Sequence, residues 1–251
     1  MLHYYEYGAE HGGRPIVIVH GLFGSGKNWG TVAKALSVTR HVICVDQRNH
    51  GHSPWHDVHD YPSMAQDIAE VIDHFGGCAD LIGHSMGGKA AMYLALSMPQ
   101  RVGTLLVADI APVAYGHSQS QHIEAMRQVP AEALAKRSTA IAALLEATQD
   151  RNLAAFFGQS IDVAQGRWLL NLDVLETEMP KVLEFPQVRG HFEGRTLFLS
   201  GGLSDYVLPD HRPRIKELFA QAQFAKLSGA GHWLHAEKPA AFIATAQNFL
   251  N

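Results

Sequence analysis

Five short apolar runs punctuate the chain: "IVIVHG", "HVICVD", "ADLIGHS", "TLLVADIAP" and "RTLFLSGG". Each is rich in Val, Ile or Leu, lacks polar alternation and is bounded by Gly, Pro or His. Strands read this way when both faces are buried in a parallel sheet. Parallel neighbours need long crossovers, and helical stretches stand where these are required: "NWGTVAKAL", "PSMAQDIAEVIDHF" and "GGKAAMYLALSM". The alternation predicts βαβ units and a doubly wound sheet. It stops after Pro112. From about 113 to 190 the pattern is helical, with "SQHIEAMRQV" and "PAEALAKRSTAIAALLEAT" the clearest stretches, and strand patterning resumes at Arg195. The division expected is a core of residues 1–112 and 191–251 with a helical cap, 113–190, inserted over the strand ends.

Composition narrows the function classes. Apolar residues are 47% and charged residues 18% of 251, which is a globular balance with length enough for a sizeable core. The net charge of −4 and the lack of a Lys/Arg-rich run leave no footprint for nucleic acid or acidic membranes. No apolar run is long enough to span a bilayer, and "MLHYYEYGAEHGG" is not a signal peptide, so a cytoplasmic location is expected. Two cysteines build no disulfide framework, and Cys44 inside "HVICVD" reads as core. Sixteen histidines, several in "RNHGHSPWHDVHD" and "GHWLH", raise a metal reading. Alternating His in a loop does not supply convergent ligand geometry, so solvated loop histidines plus one with a chemical role are expected.

"GHSMGG", Gly83 to Gly88, follows a strand and opens a helix. It matches G-x-S-x-G. A serine on a sharp strand-to-helix turn needs strained backbone angles, and glycines two residues either side let strand and helix approach closely. Ser85 is the candidate nucleophile. The Met86 amide, at the helix N-terminus, is a candidate oxyanion donor. Epoxide hydrolases and dehalogenases need Asp at position 85. A rival motif is "GLFGSGKN", Gly21 to Asn28, which nearly spells a phosphate loop with Asp46 as a magnesium carboxylate. Asn28 stands where Ser or Thr should ligate the metal, so an NTPase is disfavoured. His232 in "GAGHWLHAEKP" lies between the expected last strand, "QFAKLS", and the expected final helix, "PAAFIATAQNFL". It is the candidate base, with His235 structural.

With "HGLFGS", "DQRNHGHSP", "GHSMGGKA", "ADIAPV" and "GAGHWLHAEKP" in view, the chain resembles the α/β-hydrolase superfamily. More narrowly it resembles the YbfF-type bacterial esterases and their mitochondrial relatives, from about residue 14 to the C-terminus. The resemblance implies an α/β-hydrolase fold: a mostly parallel doubly wound sheet with a helical lid inserted between strands. It implies a second oxyanion amide from the His-Gly turn, at Leu22. Arg48 to Gly51 is the narrow marker, and Arg48 to Ser53 are expected to shape a turn beside the site.

The superfamily's usual acid follows the strand after the lid. There "GLSDYV" puts Ser204 in the acid's place and Asp205 one residue late. Asp109 ends the strand expected beside the nucleophile strand, where sites form in open α/β sheets, and a buried aspartate there needs a partner such as a histidine N–H. The resemblance to the narrower group implies an acid there too. Asp109 is the expected acid and Asp205 the alternative.

The expected activity is hydrolysis of carboxylic esters, with acyl-CoA thioesters of short to medium chains suggested by the resemblance, through an acyl-enzyme and without metal or organic cofactor. Phe23, Trp168, Met179 and Trp233 are pocket candidates. Two other readings stand: C–C hydrolysis or pyruvate-eliminating lyase chemistry of the kind found in menaquinone synthesis, and a non-catalytic binding protein on this fold. The expected partner is a small-molecule ester or thioester, with the protein a monomer or homodimer.

Overall fold

The computed structural model describes residues 1–116 and 118–250. Its main sheet has seven strands. In chain order they are β1 (Tyr4–Tyr7), β2 (Ile16–Val19), β3 (Val42–Val45), β4 (Ala79–His84) and β5 (Val102–Ala108), and then, beyond a helical segment, β8 (Thr196–Gly201) and β9 (Ala222–Leu227). Between β5 and β8 a two-residue-a-side hairpin forms a separate sheet from β6 (Ile161–Asp162) and β7 (Arg167–Trp168). The spatial order of the main sheet is β1-β3-β2-β4-β5-β8-β9. Every pairing is parallel except the edge pair β1·β3.

The apolar runs form strands because both of their faces find a core. Val17, Val19, Ile43, Val45, Leu81, Leu105, Val107 and Phe198 point to one side. Their neighbours Ile16, Ile18, Val42, Cys44, Ile82, Leu106, Leu197 and Leu199 point to the other. The first face is covered by α2 (Tyr61–His74), α3 (Met86–Ser97) and residues of the segment after β5. The second is covered by α1 (Gly30–Leu36) and the last helix, α11 (Pro239–Leu250), through Val32, Leu36, Phe242 and Ala246. Helix α2 starts where Asp60 accepts a hydrogen bond from the Ser63 N–H and Pro62 sits in the first turn.

The segment between β5 and β8 contains α4 (Ser120–Arg127), α5 (Arg137–Thr148), α6 (Arg151–Gly158), the β6–β7 hairpin, α7 (Leu172–Thr177) and α8 (Met179–Leu183). It is tied to the core at chosen points. Tyr61 donates its hydroxyl hydrogen to Val182 O at 2.5 Å, and the Asn171 N–H donates to Asn49 O at 3.0 Å. Beyond β8, α9 (Arg212–Leu218) and a short α10 (Leu234–Glu237) complete the helices used below. None of the described helices is long and apolar enough to cross a membrane.

Candidate active site

The ends of four adjacent strands bring the candidate residues together. Ser85 follows β4 directly, Asp109 follows β5 directly, Gly201 ends β8, and His232 lies in the loop after β9. His84 pairs with Ala108 in the register, so Ser85 and Asp109 leave neighbouring strands at the same level.

Ser85 sits at φ 52°, ψ −122°, a conformation that costs a non-glycine residue free energy and survives only where the surroundings enforce it. They do so tightly. A Cβ on Gly87 would lie 2.3 Å from Val19 O, and one on Gly83 would lie 2.5 Å from Gly87 O. The Ser85 N–H donates to Ala108 O, and its carbonyl accepts from the Lys89 N–H, both at 3.0 Å. Among the described residues, positive φ outside glycine occurs at Phe23, Asn49, Ser85, Asp109 and Gln149. Four of these five belong to the site or to the turns that support it, and Gln149 ends α5.

His232 Nε2 lies 3.1 Å from Ser85 Oγ, and His232 Nδ1 lies 2.8 Å from Asp109 Oδ2. The aspartate is fully buried. It accepts three hydrogen bonds: from His232, from the Gly201 N–H at 2.9 Å, and from the Ser204 hydroxyl at 2.5 Å. Three donors offset the desolvation of a carboxylate that would otherwise be costly. A carboxylate at Nδ1 fixes the imidazole with its proton there, leaving Nε2 free to accept from the serine. Asp205 is exposed, and the imidazole nitrogen meets Asp109 instead. Ser204, in the superfamily's usual acid position, reaches back to Asp109 one strand away.

The His-Gly turn is pinned on both sides of Leu22. The Gly24 N–H donates to Gly21 O at 3.1 Å, and the Phe23 N–H donates to His50 Nε2 at 3.1 Å. His20 donates from Nδ1 to Gly21 O at 2.8 Å and accepts from the Gln47 N–H at Nε2. Met86 opens α3, where the first N–H groups have no partner within a helix. Leu22 and Met86 both line the cavity above Ser85.

That cavity measures about 280 Å³. One wall is aromatic, built from Phe23, His122, Phe156, Phe157 and Trp233 together with Leu153. The other carries Tyr61, Lys89, Ile110, Tyr115, Val182 and Leu183. Of the four pocket candidates, Phe23 and Trp233 line it. Trp168 and Met179 do not: Trp168 packs against the core from β7, and Met179 is buried in that core at the start of α8. An apolar residue in a helical segment faces either the cavity or the sheet, and composition alone does not separate the two.

Four histidines overturn the expectation of solvated loops. His20, His50, His59 and His84 are 0–3% exposed. His52 and His56 alone among the "HGHSPWH" histidines face solvent. Burial lowers the imidazole of His20 to about 4 and that of His50 to about 3, and it carries His59 and His84 well below the usual range. They stand neutral, spaced through the supports of the site. His50 donates from Nδ1 to Arg48 O at 2.9 Å and holds the Phe23 amide with its other nitrogen. His59 Nε2 lies 3.3 Å from Met86 Sδ, and His84 donates to the His232 carbonyl at 2.9 Å. His235 stacks on Trp29 at 4.0 Å. No group of metal-ligand side chains forms among the described residues.

A pH dependence of stability follows. The folded values of His20 and His50 lie below the unfolded value of 6.5, so the unfolded chain binds protons first as the solution is acidified. Stability is complete above about pH 6.5. It should fall by about 1.4 kcal/mol per pH unit per residue down to about pH 4 for His20 and about pH 3 for His50. Differential scanning calorimetry from pH 7 to 4 should show this slope, and His50→Asn should reduce it. A flat Tm over that range would contradict the assignment of neutral buried imidazoles.

The remaining motifs are internal. Arg48 grips Asp67 with two nitrogens, at 2.5 and 2.8 Å. Asn49 Oδ1 accepts from the His56 N–H and from Asn171 Nδ2. A Cβ on Gly51 would lie 2.2 Å from Asp46 Oδ2. The tetrad is a brace beneath the site, and none of it lines the cavity. Asp46 accepts from the Gly26 and His52 N–H groups, and Lys27 is exposed, so the near-phosphate-loop is a turn that runs into a 3₁₀ helix over Gly26–Trp29.

Lys89 is the charged residue among several cavity-lining residues that sequence reasoning missed, with Tyr61, Tyr115, His122 and Phe156 among the others. Its Nζ donates to Leu183 O at 2.7 Å and Glu184 O at 2.8 Å, at the C-terminal end of α8, and sits 4.7 Å from the Tyr115 ring centroid. Burial lowers its ammonium to about 7. The available signal was one lysine in a helix whose other residues are apolar, glycine, serine or tyrosine.

A serine on an elbow, an imidazole bonded to it and a buried carboxylate behind the imidazole match the arrangement on which α/β hydrolases carry out acyl transfer. The alpha/beta hydrolase family profile matches residues 16–245, and the chain belongs to that family. Esterases and lipases are among its relatives. It is 37% identical to esterase YbfF of Escherichia coli over 96% of this chain and 95% of that one. It is 40% identical to the sn-1-specific diacylglycerol lipase ABHD11 of Mus musculus over 94% of this chain and 80% of that one. Among solved structures, a marine microorganism esterase superposes with a TM-score of 0.93 at 36% identity, covering 99% of this chain and 98% of that one.

Proposed function

We propose that this protein is a serine hydrolase that cleaves carboxylic esters of short to medium acyl chains through an acyl-enzyme on Ser85. The observation that carries the reading is the continuous hydrogen-bonded line from Ser85 Oγ through the His232 imidazole to the buried Asp109 carboxylate. Ser85 Oγ attacks the ester carbonyl carbon as His232 Nε2 takes the hydroxyl proton. The Leu22 and Met86 amides receive the oxyanion. The tetrahedral adduct collapses, the C–O bond to the alcohol breaks, and His232 returns the proton to the leaving oxygen. Water then attacks the acyl-enzyme with His232 as base, releasing the acid and restoring Ser85. Asp109 holds the tautomer and stabilises the imidazolium. The helical segment between β5 and β8 serves as a lid, since Tyr115, His122, Leu153, Phe156, Phe157, Val182 and Leu183 of that segment wall the cavity.

A cavity of about 280 Å³ is at the small end for ligand sites, which favours short and medium acyl groups over long-chain lipids. CoA thioesters of the same acyl groups are the second substrate class, because the acyl half of the reaction is unchanged when sulfur leaves. A fluorophosphonate probe should label wild-type protein at Ser85 and leave Ser85→Ala unlabelled. A chain-length series of p-nitrophenyl esters run beside CoA thioesters should give its highest kcat/KM at short to medium chains. Labelling that persists in Ser85→Ala would remove the basis of this reading.

The aromatic wall supplies a further prediction. Phe156 lies 6.0 Å from Trp233 and 5.7 Å from Phe157, ring to ring, and lines the cavity while half-buried. Trimming it to alanine opens that wall. The ratio of kcat/KM for long over short acyl esters should rise about tenfold, the scale of a methylene or two in an apolar pocket. An unchanged chain-length profile would show that the acyl group lies elsewhere.

A further inference from the structure

Leu22 sits in the turn from Gly21 to Gly24, and each of the three peptide planes of that turn has its own holder. The first plane carries Gly21 O and the Leu22 N–H. Its oxygen accepts from His20 Nδ1 at 2.8 Å and from the Gly24 N–H at 3.1 Å. The peptide is trans, so the Leu22 N–H points away from both. The second plane is held at the Phe23 N–H by His50 Nε2, 3.1 Å away. The third is held at Phe23 O, which accepts from the Ser160 hydroxyl at 2.9 Å. His20 and His50 belong to the core. Ser160 belongs to the segment between β5 and β8, at the junction of α6 and β6. It is buried and does not line the cavity. Its own backbone is fixed. The Ser160 N–H donates to Phe157 O at 2.9 Å, its carbonyl accepts from the Leu169 N–H at 2.8 Å, and Arg137 bonds the carbonyls of Gly158 and Ile161.

We infer that Ser160 is a positioning residue: its hydroxyl, supplied by the lid, holds the turn whose Leu22 N–H receives the oxyanion. This rests on the proposed acyl-enzyme reading, with Leu22 as a donor in it. The physical case starts at Phe23, whose φ of 64° is a left-handed conformation that a bulky residue leaves unless its neighbours enforce it. Here they do. Phe157 meets the ring edge-on at 5.6 Å, His50 holds the N–H and Ser160 holds the carbonyl. Phe157 and Ser160 both come from the lid segment, and His50 pairs with Leu170 of the same segment. Without the hydroxyl, the Phe23 carbonyl loses that donor and Phe23 is free to relax toward negative φ. The φ torsion of Phe23 joins the second plane to the third, and the Gly24 N–H joins the third to the first. A shift at Phe23 is therefore passed to the Leu22 N–H. A donor displaced by about 1 Å loses much of its effect on a developing charge and little of its effect on a neutral ester. The donor is set only while the lid segment lies on the turn.

The probe is an aryl trifluoromethyl ketone. Ser85 Oγ bonds its carbonyl carbon, the serine proton passes to His232, and the carbonyl electron pair becomes an oxyanion that stays in place. Ser160→Ala should lower kcat on a p-nitrophenyl ester by about tenfold with KM within about twofold, and should weaken the ketone by about the same factor. Ser160→Thr should recover the greater part of both losses. Ser160→Val, of the same size without the hydroxyl, should not. Gln159→Ala removes the neighbouring bond from this segment to Asn28 and should leave both values near wild type. In ¹⁵N-labelled protein the Leu22 amide proton should move downfield when the ketone binds, and less so in Ser160→Ala. Wild-type kcat and ketone affinity in Ser160→Ala would overturn the inference. So would losses that are equal in Ser160→Thr and Ser160→Val, that recur in Gln159→Ala, or that fall on KM alone. If the ketone forms no adduct with the wild-type protein, the acyl-enzyme reading fails instead. The Phe23 and Gly24 backbone resonances of the free protein then decide what Ser160 does: shifted in Ser160→Val and restored in Ser160→Thr, the hydroxyl holds the turn; unshifted in both, it does not.

Discussion

Asp109→Asn is expected to lower kcat on a short p-nitrophenyl ester by about 10⁴-fold, while Asp205→Asn stays near wild type. An asparagine amide at position 109 offers an N–H where the imidazole needs an acceptor. It turns the histidine into the wrong tautomer for accepting the Ser85 proton, and it leaves three donors, from His232, Gly201 and Ser204, facing a poorer acceptor. Asp205 is exposed and away from the Nδ1 bond, so its amide should cost little. Steady-state kinetics on the two variants, with Tm measured beside them, decides the matter. Collapse of Asp205→Asn with survival of Asp109→Asn would place the acid on the other loop.

Ser85→Ala and His232→Ala should each lower kcat by at least about 10⁴-fold. The double variant should be no worse than either single one, because the two act as a unit. Additive losses would mean that the 3.1 Å contact between them is not used in the chemical step. Residual activity above water would remain in all three, from the amides near the carbonyl oxygen and from binding.

Much of this was legible because its signals are local. The five apolar runs became β2, β3, β4, β5 and β8, since a strand buried on both faces must be apolar throughout. "GHSMGG" announced its own turn, because the glycines are a steric requirement of the elbow. What stayed illegible depends on contacts across the fold. Strand β1, "YYEY", lies at an antiparallel edge with no burial pattern to mark it. The two-residue strands β6 and β7 are too short to leave a period. His50 and His59 look like loop polar residues until the sheet buries them beside Phe23 and Met86. Ser204 is 95 residues from the aspartate it bonds, and Lys89 is 94 from the carbonyl of Leu183. Spacing says nothing about either.

The place of Asp109 shows both sides. A buried aspartate after "TLLVA" needs a partner, and this much the residues state. That β5 lies between β4 and β8, so that Asp109 after β5 is one strand nearer Ser85 and Ser204 after β8 can still reach it, needs the sheet order.

The most direct measurement of the central claim is rapid acid quench of protein mixed with a p-nitrophenyl ester, followed by intact and peptide mass spectrometry. The account predicts one acyl group per chain, on the peptide carrying Ser85, appearing with a burst of nitrophenol and decaying at the steady-state rate. Turnover with no acylated chain, or an acyl group on another residue, would contradict it.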